Sequence, residues 1–470
     1  MLDLVVEGNA YLEGIINKCC IGIEDGKIVA LKKILKGEKQ FDFGDKLILP
    51  TGIDVHVHFR DPGFTDKEDF ETGTESAAFG GISCVFDMPN TKPPVVSSEN
   101  FEEKLGIVRR KACIDFGLYS SIMPGTRIKK LAKICSAFKI YLGSTTGNLL
   151  FGPGRSLSTA LYKINSFGRV PAIHAESESI IQRNINKLPN PKNLHDHLRT
   201  RPNYAEKHAI ARVLNIVKRW AKIEKEMGIT VKNKTNESIS KEINDFQYSQ
   251  NLQKKIHICH VSTSDSVELI RSFRRFINKQ VLKDSILIST EVTPHHLLLN
   301  ESYKGGTFGK VNPPLRAVDD QQAVWSAFLD GTLNILASDH APHTYDNKDQ
   351  EFSYAPSGLP GVETMVPLML SKVKHKQLSL DTLVSAVALR PGKLFNLRKG
   401  RLSPGFDGDL MVVDFHKERP IKNRDLHSKC GWTPYEKMDA IFPIFTTVRG
   451  NITIKNNNLE ADPGWGKFHN

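Results

Sequence analysis

An α/β architecture is predicted for this 470-residue chain: a (β/α)8 TIM-like barrel over residues 50–396, beside a small β-sandwich domain built from both termini, 1–49 and 397–470. Two observations predict it. Both ends read as short apolar strands joined by turns of Asp-Gly type, whereas the middle alternates strand-like and helix-like stretches. In that middle the strand-like runs each end in polar or histidine-bearing residues, the pattern of a barrel whose functional groups gather at the C-terminal ends of its strands.

At the N-terminus LDLVVEG, CCIGIEDGKIVALKKI and KLILP read as strands, with Asp25 and Gly26 turning a hairpin. Next comes LPTGIDVHVHFRDPG, Leu49 to Gly63, which reads as a short buried strand running out into a turn at Asp61, Pro62 and Gly63. Ile53, Val55 and Val57 alternate there with Asp54, His56 and His58. Residues two apart in a strand share a face, so the alternation predicts His56 and His58 side by side where the strand ends. The barrel strands that follow are GISCVFDMPN, ACIDFGLYSS, AFKIYLG, VPAIHAES, KIHICHVS, ILISTEVTPHH and NILASDHAPH. The stretch 218–255 is charged, rich in Asn and Lys and without an apolar period, and is predicted to be a helix end followed by a solvated, partly mobile insertion in the barrel, near 222–255. Towards the C-terminus, GRLSPGFDGDLMVVDF and AIFPIFTTVRGNITIKNNNLE return to β character, with turns expected at Asp407–Gly408 and Gly450–Asn451. No internal repeat is visible.

The formal charge of +12 is spread along the chain, and no zinc finger, RNP aromatic motif or basic heptad accompanies it. A basic surface suited to anionic small molecules is expected, with no nucleic-acid partner. Seven cysteines, scattered and with Cys19 beside Cys20, make a disulfide framework unexpected and point to a reducing, cytoplasmic compartment. No apolar run reaches the roughly eighteen residues of a membrane span, and no basic-then-apolar leader opens the sequence. Neither membrane insertion nor secretion is expected. A phosphate loop and a dinucleotide fingerprint are also missing; FGPGR has two close glycines but lacks the third.

Chemistry concentrates at the predicted strand ends. In chain order they supply His56 and His58, Lys139 in FKIYLG, His174 in IHAES, His260 in HICHVS and Asp339 in ASDHAPH. Imidazoles with a carboxylate suit zinc and similar ions. Four histidines and an aspartate exceed the needs of one closed zinc, so two metals are a candidate arrangement. His257 alternates in phase with Cys259 rather than with His260 and is read as a packed strand residue; Cys259 is read as buried packing. Lys139 needs a separate account, because an ammonium repels a dication.

These motifs, with MPNT, TPHHL, NPPLR, GLPGVET and PGKLFNL in the same order, cover nearly the whole chain and resemble the amidohydrolase superfamily, within it the class I dihydroorotases. The resemblance implies a metal-dependent cyclic amidohydrolase that interconverts (S)-dihydroorotate and N-carbamoyl-L-aspartate in pyrimidine biosynthesis. It implies two Zn2+ ions held by His56, His58, His174, His260 and Asp339, bridged by a carboxylated Lys139. Asp339 would also carry the proton. Arg60, Asn90, Asn312 and His343 match the family's substrate contacts, as do backbone groups around Ser357 and Gly358, and Thr145 lies in the glycine-rich loop Gly143 to Gly154 that would close over the substrate. Glu176, His295 and His296 match supporting positions. A homo-oligomer is implied, with aspartate carbamoyltransferase as a candidate partner. Allantoinase or hydantoinase chemistry, and a catalytically inactive scaffold, are the competing expectations.

Overall fold

The computed structural model describes residues 1–123, 125–145, 147, 149–152, 156–233, 253–279 and 286–470, with the side chains of 223–233 left aside. Eight parallel strands follow one another around a barrel in sequence order: Gly52–Val57, Ile82–Asp87, Asp115–Ser121, Ala137–Tyr141, Val170–His174, Lys254–Ile258, Ile286–Val292 and Ile335–Leu336. The ring closes where Val57 bridges His340 in parallel and the His58 amide donates to the His340 carbonyl at 2.8 Å. Ile53, Val55, Phe86, Tyr119, Ala172 and Cys259 pack together inside it. Helices cover the outside, and their starts are written locally. Asp69 caps Phe70–Phe79, Ser97 caps Ser98–Lys111 and Ser156 caps Leu157–Ser166, each side chain accepting from a backbone N–H of the first turn.

The two termini build one further eight-stranded sheet. Leu2–Leu12, Ile15–Glu24, Lys27–Lys32 and Gly37–Pro50 join Leu410–Val413, Phe445–Val448, Asn451–Lys455 and Asn458–Leu459, with Leu410–Val413 antiparallel to the end of Gly37–Pro50. Leu4, Ile21, Ile48, Val412 and Phe445 share one core with Phe41 and Phe43. That core consists of the sheet's own side chains. The Asp25–Gly26 turn has φ of 49° and 73°, as a tight hairpin of two left-handed residues requires.

Several local expectations shift. The C-terminal hairpin turns on Arg449–Gly450, at φ of 48° and 72°, one residue before the expected Gly450–Asn451. The turn expected at Asp407–Gly408 falls at Pro404–Gly405, because Asp407 is drawn into a bridge with Lys27. The helix end expected from 218 runs on to Asn233 within the continuous helix Asn203–Asn233, whose Val217, Trp220 and Ala221 are buried, and Lys254 already opens a barrel strand, so the insertion expected near 222–255 is shorter at both ends. The rest of that insertion, 234–252, lies outside the described residues. No helix among the described residues is long and apolar enough to cross a membrane.

Candidate active site

The mouth of the barrel brings the six candidate ligands into one pocket. His56 and His174 stand at strand ends, Lys139 sits within its strand, and His58, His260 and Asp339 follow on the loops just beyond. Regular alternation would not produce this. Ile53 and Val55 point into the barrel, yet His56 enters the pocket and Val57 packs outside, because the pairing of this strand slips between Asp54 and Val57. Such an irregularity re-aims a side chain. Arg60, His260 and Asp339 hold φ of 64°, 33° and 46°, a left-handed backbone that non-glycine residues adopt at some cost and that recurs at functional sites.

His56, His58 and His174 are each oriented by the second ring nitrogen. His56 Nδ1 donates to Glu291 Oε1 at 2.8 Å and His58 Nδ1 to Asn90 Oδ1 at 2.6 Å, which leaves both Nε2 atoms facing Asp339 Oδ1 at 3.3 and 3.1 Å. On the other side His174 Nε2 donates to Glu176 Oε2 at 3.0 Å, and its Nδ1 meets His260 Nε2 at 3.0 Å. Lys139 Nζ lies between, 3.3 Å from His56 Nε2 and 3.1 Å from Cys259 Sγ. His56, Cys259 and Glu291 converge as well.

The electrostatics favour a cation. Burial alone would lower His56, but Glu291 and Asp339 outweigh burial and the Lys139 charge and lift it to about 10. Burial lowers His58 to about 4 and holds His174 and His260 below the usual imidazole range, so these stay neutral ligands. Burial would raise Asp339, and the surrounding imidazoles instead hold it well below the usual carboxylate range. The donor set is His56, His58 and Asp339 on one side and His174 and His260 on the other, with outer hydrogen bonds directing His56, His58 and His174. It fits a divalent metal.

Arg60, Asn90, Asn312, Thr145, Ser357 and Gly358 line the same pocket. The Arg60 guanidinium is buried, donates from Nε to the Pro342 carbonyl at 3.2 Å, and stays charged although burial lowers it to about 10. Among the described residues no carboxylate pairs with it. Asn312 is oriented by His197: Nε2 lies 3.0 Å from both the Val311 carbonyl and Asn312 Oδ1, so it carries the proton and the Asn312 amide nitrogen is left for the pocket. His343 stands behind the lining, its Nε2 donating to the Ser357 carbonyl at 3.2 Å and lying 3.3 Å from Arg60 Nη2. In the loop after Lys139, residues 146, 148 and 153–155 lie outside the described residues.

Glu176 supports His174, and Arg201 in turn donates to Glu176 from Nε and Nη2. His296 accepts from or donates to Thr293 Oγ1 at 2.8 Å and faces the Pro313 carbonyl at 3.2 Å, holding the loop rather than a ligand. Sequence reasoning passed over Glu291, which binds His56, His257 and the His260 amide. Its signal was a lone acid inside an apolar strand. Tyr141, also in the pocket, could have been read from its strand spacing to Lys139. Arg201 carried no local signal.

A family model described as the amidohydrolase family matches residues 47–452. Dihydroorotase from Methanosarcina acetivorans is 37% identical over 95% of this chain and 90% of its own length. Dihydroorotase from Thermoplasma volcanium is 36% identical over 99% and 98%. Among solved structures, L-hydantoinase from Arthrobacter aurescens superposes with a TM-score of 0.85 at 26% identity, covering 100% of this chain and 99% of its own. Dihydropyrimidinase from Brevibacillus agri, at 22% identity and a TM-score of 0.83 over 100% and 98%, shares the fold. The motifs that end the barrel strands, the eight-stranded ring and these full-length likenesses agree, and the chain belongs to the amidohydrolase family, in the group of the dihydroorotases.

Proposed function

We propose that this chain catalyses the reversible hydrolysis of (S)-dihydroorotate to N-carbamoyl-L-aspartate, the ring-closing step of pyrimidine synthesis run in either direction. The observation that carries the reading is Arg60, a buried guanidinium on the wall of the ligand pocket with no carboxylate paired to it among the described residues. A buried charge calls for a counter-charge. Dihydroorotate brings a carboxylate on its ring, whereas hydantoin and allantoin do not, and a planar fork binds a carboxylate through two hydrogen bonds.

His56, His58 and Asp339 would hold one Zn2+ and His174 and His260 a second, with Lys139 carboxylated between them. Bound there, the ions supply a Lewis acid for the ring carbonyl and lower the pKa of water. Arg60 holds the substrate carboxylate, and the Asn90 amide nitrogen is placed to join it. Asn312 and backbone groups of Ser357 and Gly358 hold the ring and orient its amide. Asp339, kept ionised by its imidazole neighbours, accepts a proton from the attacking water and passes it to the departing ring nitrogen as the C–N bond breaks. In ring closure the same carboxylate moves the proton back. All seven cysteines are unpaired, which supports a cytoplasmic setting.

Metal content of the purified protein, turnover of dihydroorotate and thermal stabilisation by orotate test this together. Stabilisation by hydantoin or allantoin with no response to orotate would reassign the substrate, and absence of turnover with metal bound would point to a scaffold.

A further inference from the structure

Behind the pocket wall made by Ser357 and Gly358 lies Lys348, fully buried at the end of the short helix Tyr345–Lys348. Its Nζ donates to three backbone carbonyls, Pro356 at 2.9 Å, Lys310 at 3.1 Å and Gly358 at 3.2 Å. An ammonium has three donors, and each has an acceptor here. Among the described residues no carboxylate balances the charge, and burial with the nearby Lys310 lowers it to about 7. A methionine would fill similar space without that desolvation cost. The ammonium is therefore placed for what only donors can do, which is to fix carbonyls.

Those carbonyls belong to two neighbouring segments at the pocket. Lys310 precedes Val311 and Asn312, which line it, and Pro356 precedes Ser357 and Gly358, which line it too. The Lys310 carbonyl accepts twice, from Lys348 and from the Gly358 amide at 2.9 Å. Lys310 Nζ donates to the Phe352 carbonyl at 2.6 Å, anchoring the start of the same loop. Gly358 itself has φ of 147°, and a side chain there would sit 2.3 Å from the Ala341 carbonyl. The turn is thus held from both ends and has little room to move.

We propose that Lys348 is a positioning residue that ties the Pro356–Gly358 turn to the Lys310–Asn312 wall and so sets the spacing of the groups that grip the substrate ring. It acts through the backbone without touching substrate. The identity of the ligand rests on the dihydroorotase reading above; the clasp itself does not.

The test uses metal-loaded full-length protein carrying Lys348→Met or Lys348→Gln. KM for dihydroorotate should rise about tenfold or more, the loss of one charge-assisted contact set, with kcat within about threefold and metal per chain unchanged. Amide hydrogen exchange across 349–360 should quicken while that of the barrel strands stays put. An unchanged KM with unchanged exchange would overturn the proposal. So would loss of metal or failure of both variants to fold, either of which would make Lys348 a general structural pin. If the wild type does not turn over dihydroorotate, the functional reading fails while the exchange comparison still decides the clasp.

Discussion

On the proposed reading Asp339 would be both metal ligand and proton carrier; its Oδ1 faces the Nε2 atoms of His56 and His58 while its backbone sits at a left-handed φ of 46°. Asp339→Asn keeps shape and a carbonyl ligand but cannot shuttle a proton. It is expected to retain much of the metal and the fold and to lose about 10²-fold or more in turnover. Retention of more than about a tenth of the wild-type rate, with metal bound, would remove Asp339 from the proton path. Arg60 tests the substrate carboxylate in the same way. Arg60→Lys keeps the charge and loses the fork, so dihydroorotate should bind about 1.5–3 kcal/mol more weakly. Calorimetry with orotate reads that difference, and an unchanged affinity would place the carboxylate elsewhere.

Among the elements at the site is the segment after the Lys139 strand. Its Gly143 packs against Glu176, and Thr145 reaches the pocket wall, so the segment joins the lysine strand to the His174 strand at the site. Arg201 Nη2 donates to the Ser144 carbonyl at 2.8 Å while its other contacts hold Glu176, so one guanidinium ties the base of the loop to the support of His174, a proposed metal ligand. Loops so placed close over substrate and exclude water. With Thr145 as a donor to the bound carbamoyl group, Thr145→Ala is expected to lower kcat in both directions and leave metal content unchanged. Wild-type turnover in both directions would reduce the segment to a connector.

Across the whole molecule, the barrel and the terminal sheet are joined by charge at the end of the barrel opposite the site. Lys399, fully buried, reaches Asp115 at 2.6 Å, Asp409 at 2.7 Å and Asp407 at 3.0 Å; Asp115 opens a barrel strand, while Asp407 and Asp409 lead into a strand of the terminal sheet. Lys399→Met would leave Asp409 buried without a cation, while Asp115 keeps Arg449 and His469 and Asp407 keeps Lys27, and a loss of about 3–5 kcal/mol in denaturant unfolding is expected. The pH dependence follows from Asp115. Burial would raise its carboxyl, but Lys399, His469 and Arg449 outweigh burial and hold it below the usual range. A carboxyl depressed in the folded state adds stability that is complete above its unfolded pKa and lost as pH falls through the folded value. Tm should therefore drop below about pH 4. Asp409, raised by burial, works in the opposite sense and blunts the loss. A Tm that holds level down to about pH 2 would show that the junction adds little.

The sequence by itself determined the strand-and-helix order, the composite sheet from both termini and the chain order of the pocket's ligands, because strand periodicity, Asp-Gly turns and motif spacing are local properties. Tertiary structure decided what those local rules do not contain. The slip that turns His56 into the barrel comes from pairing with a neighbouring strand, and alternation alone would have sent it outward. Closure of the ring through Val57 and His340 brings Asp339 to His56 and His58, nearly three hundred positions away in sequence. The partners of buried charges, Glu291 for two histidines, Arg201 for Glu176 and three carbonyls for Lys348, were illegible for the same reason. An ion pair or hydrogen bond is defined by distance, and only the closed barrel sets the distances.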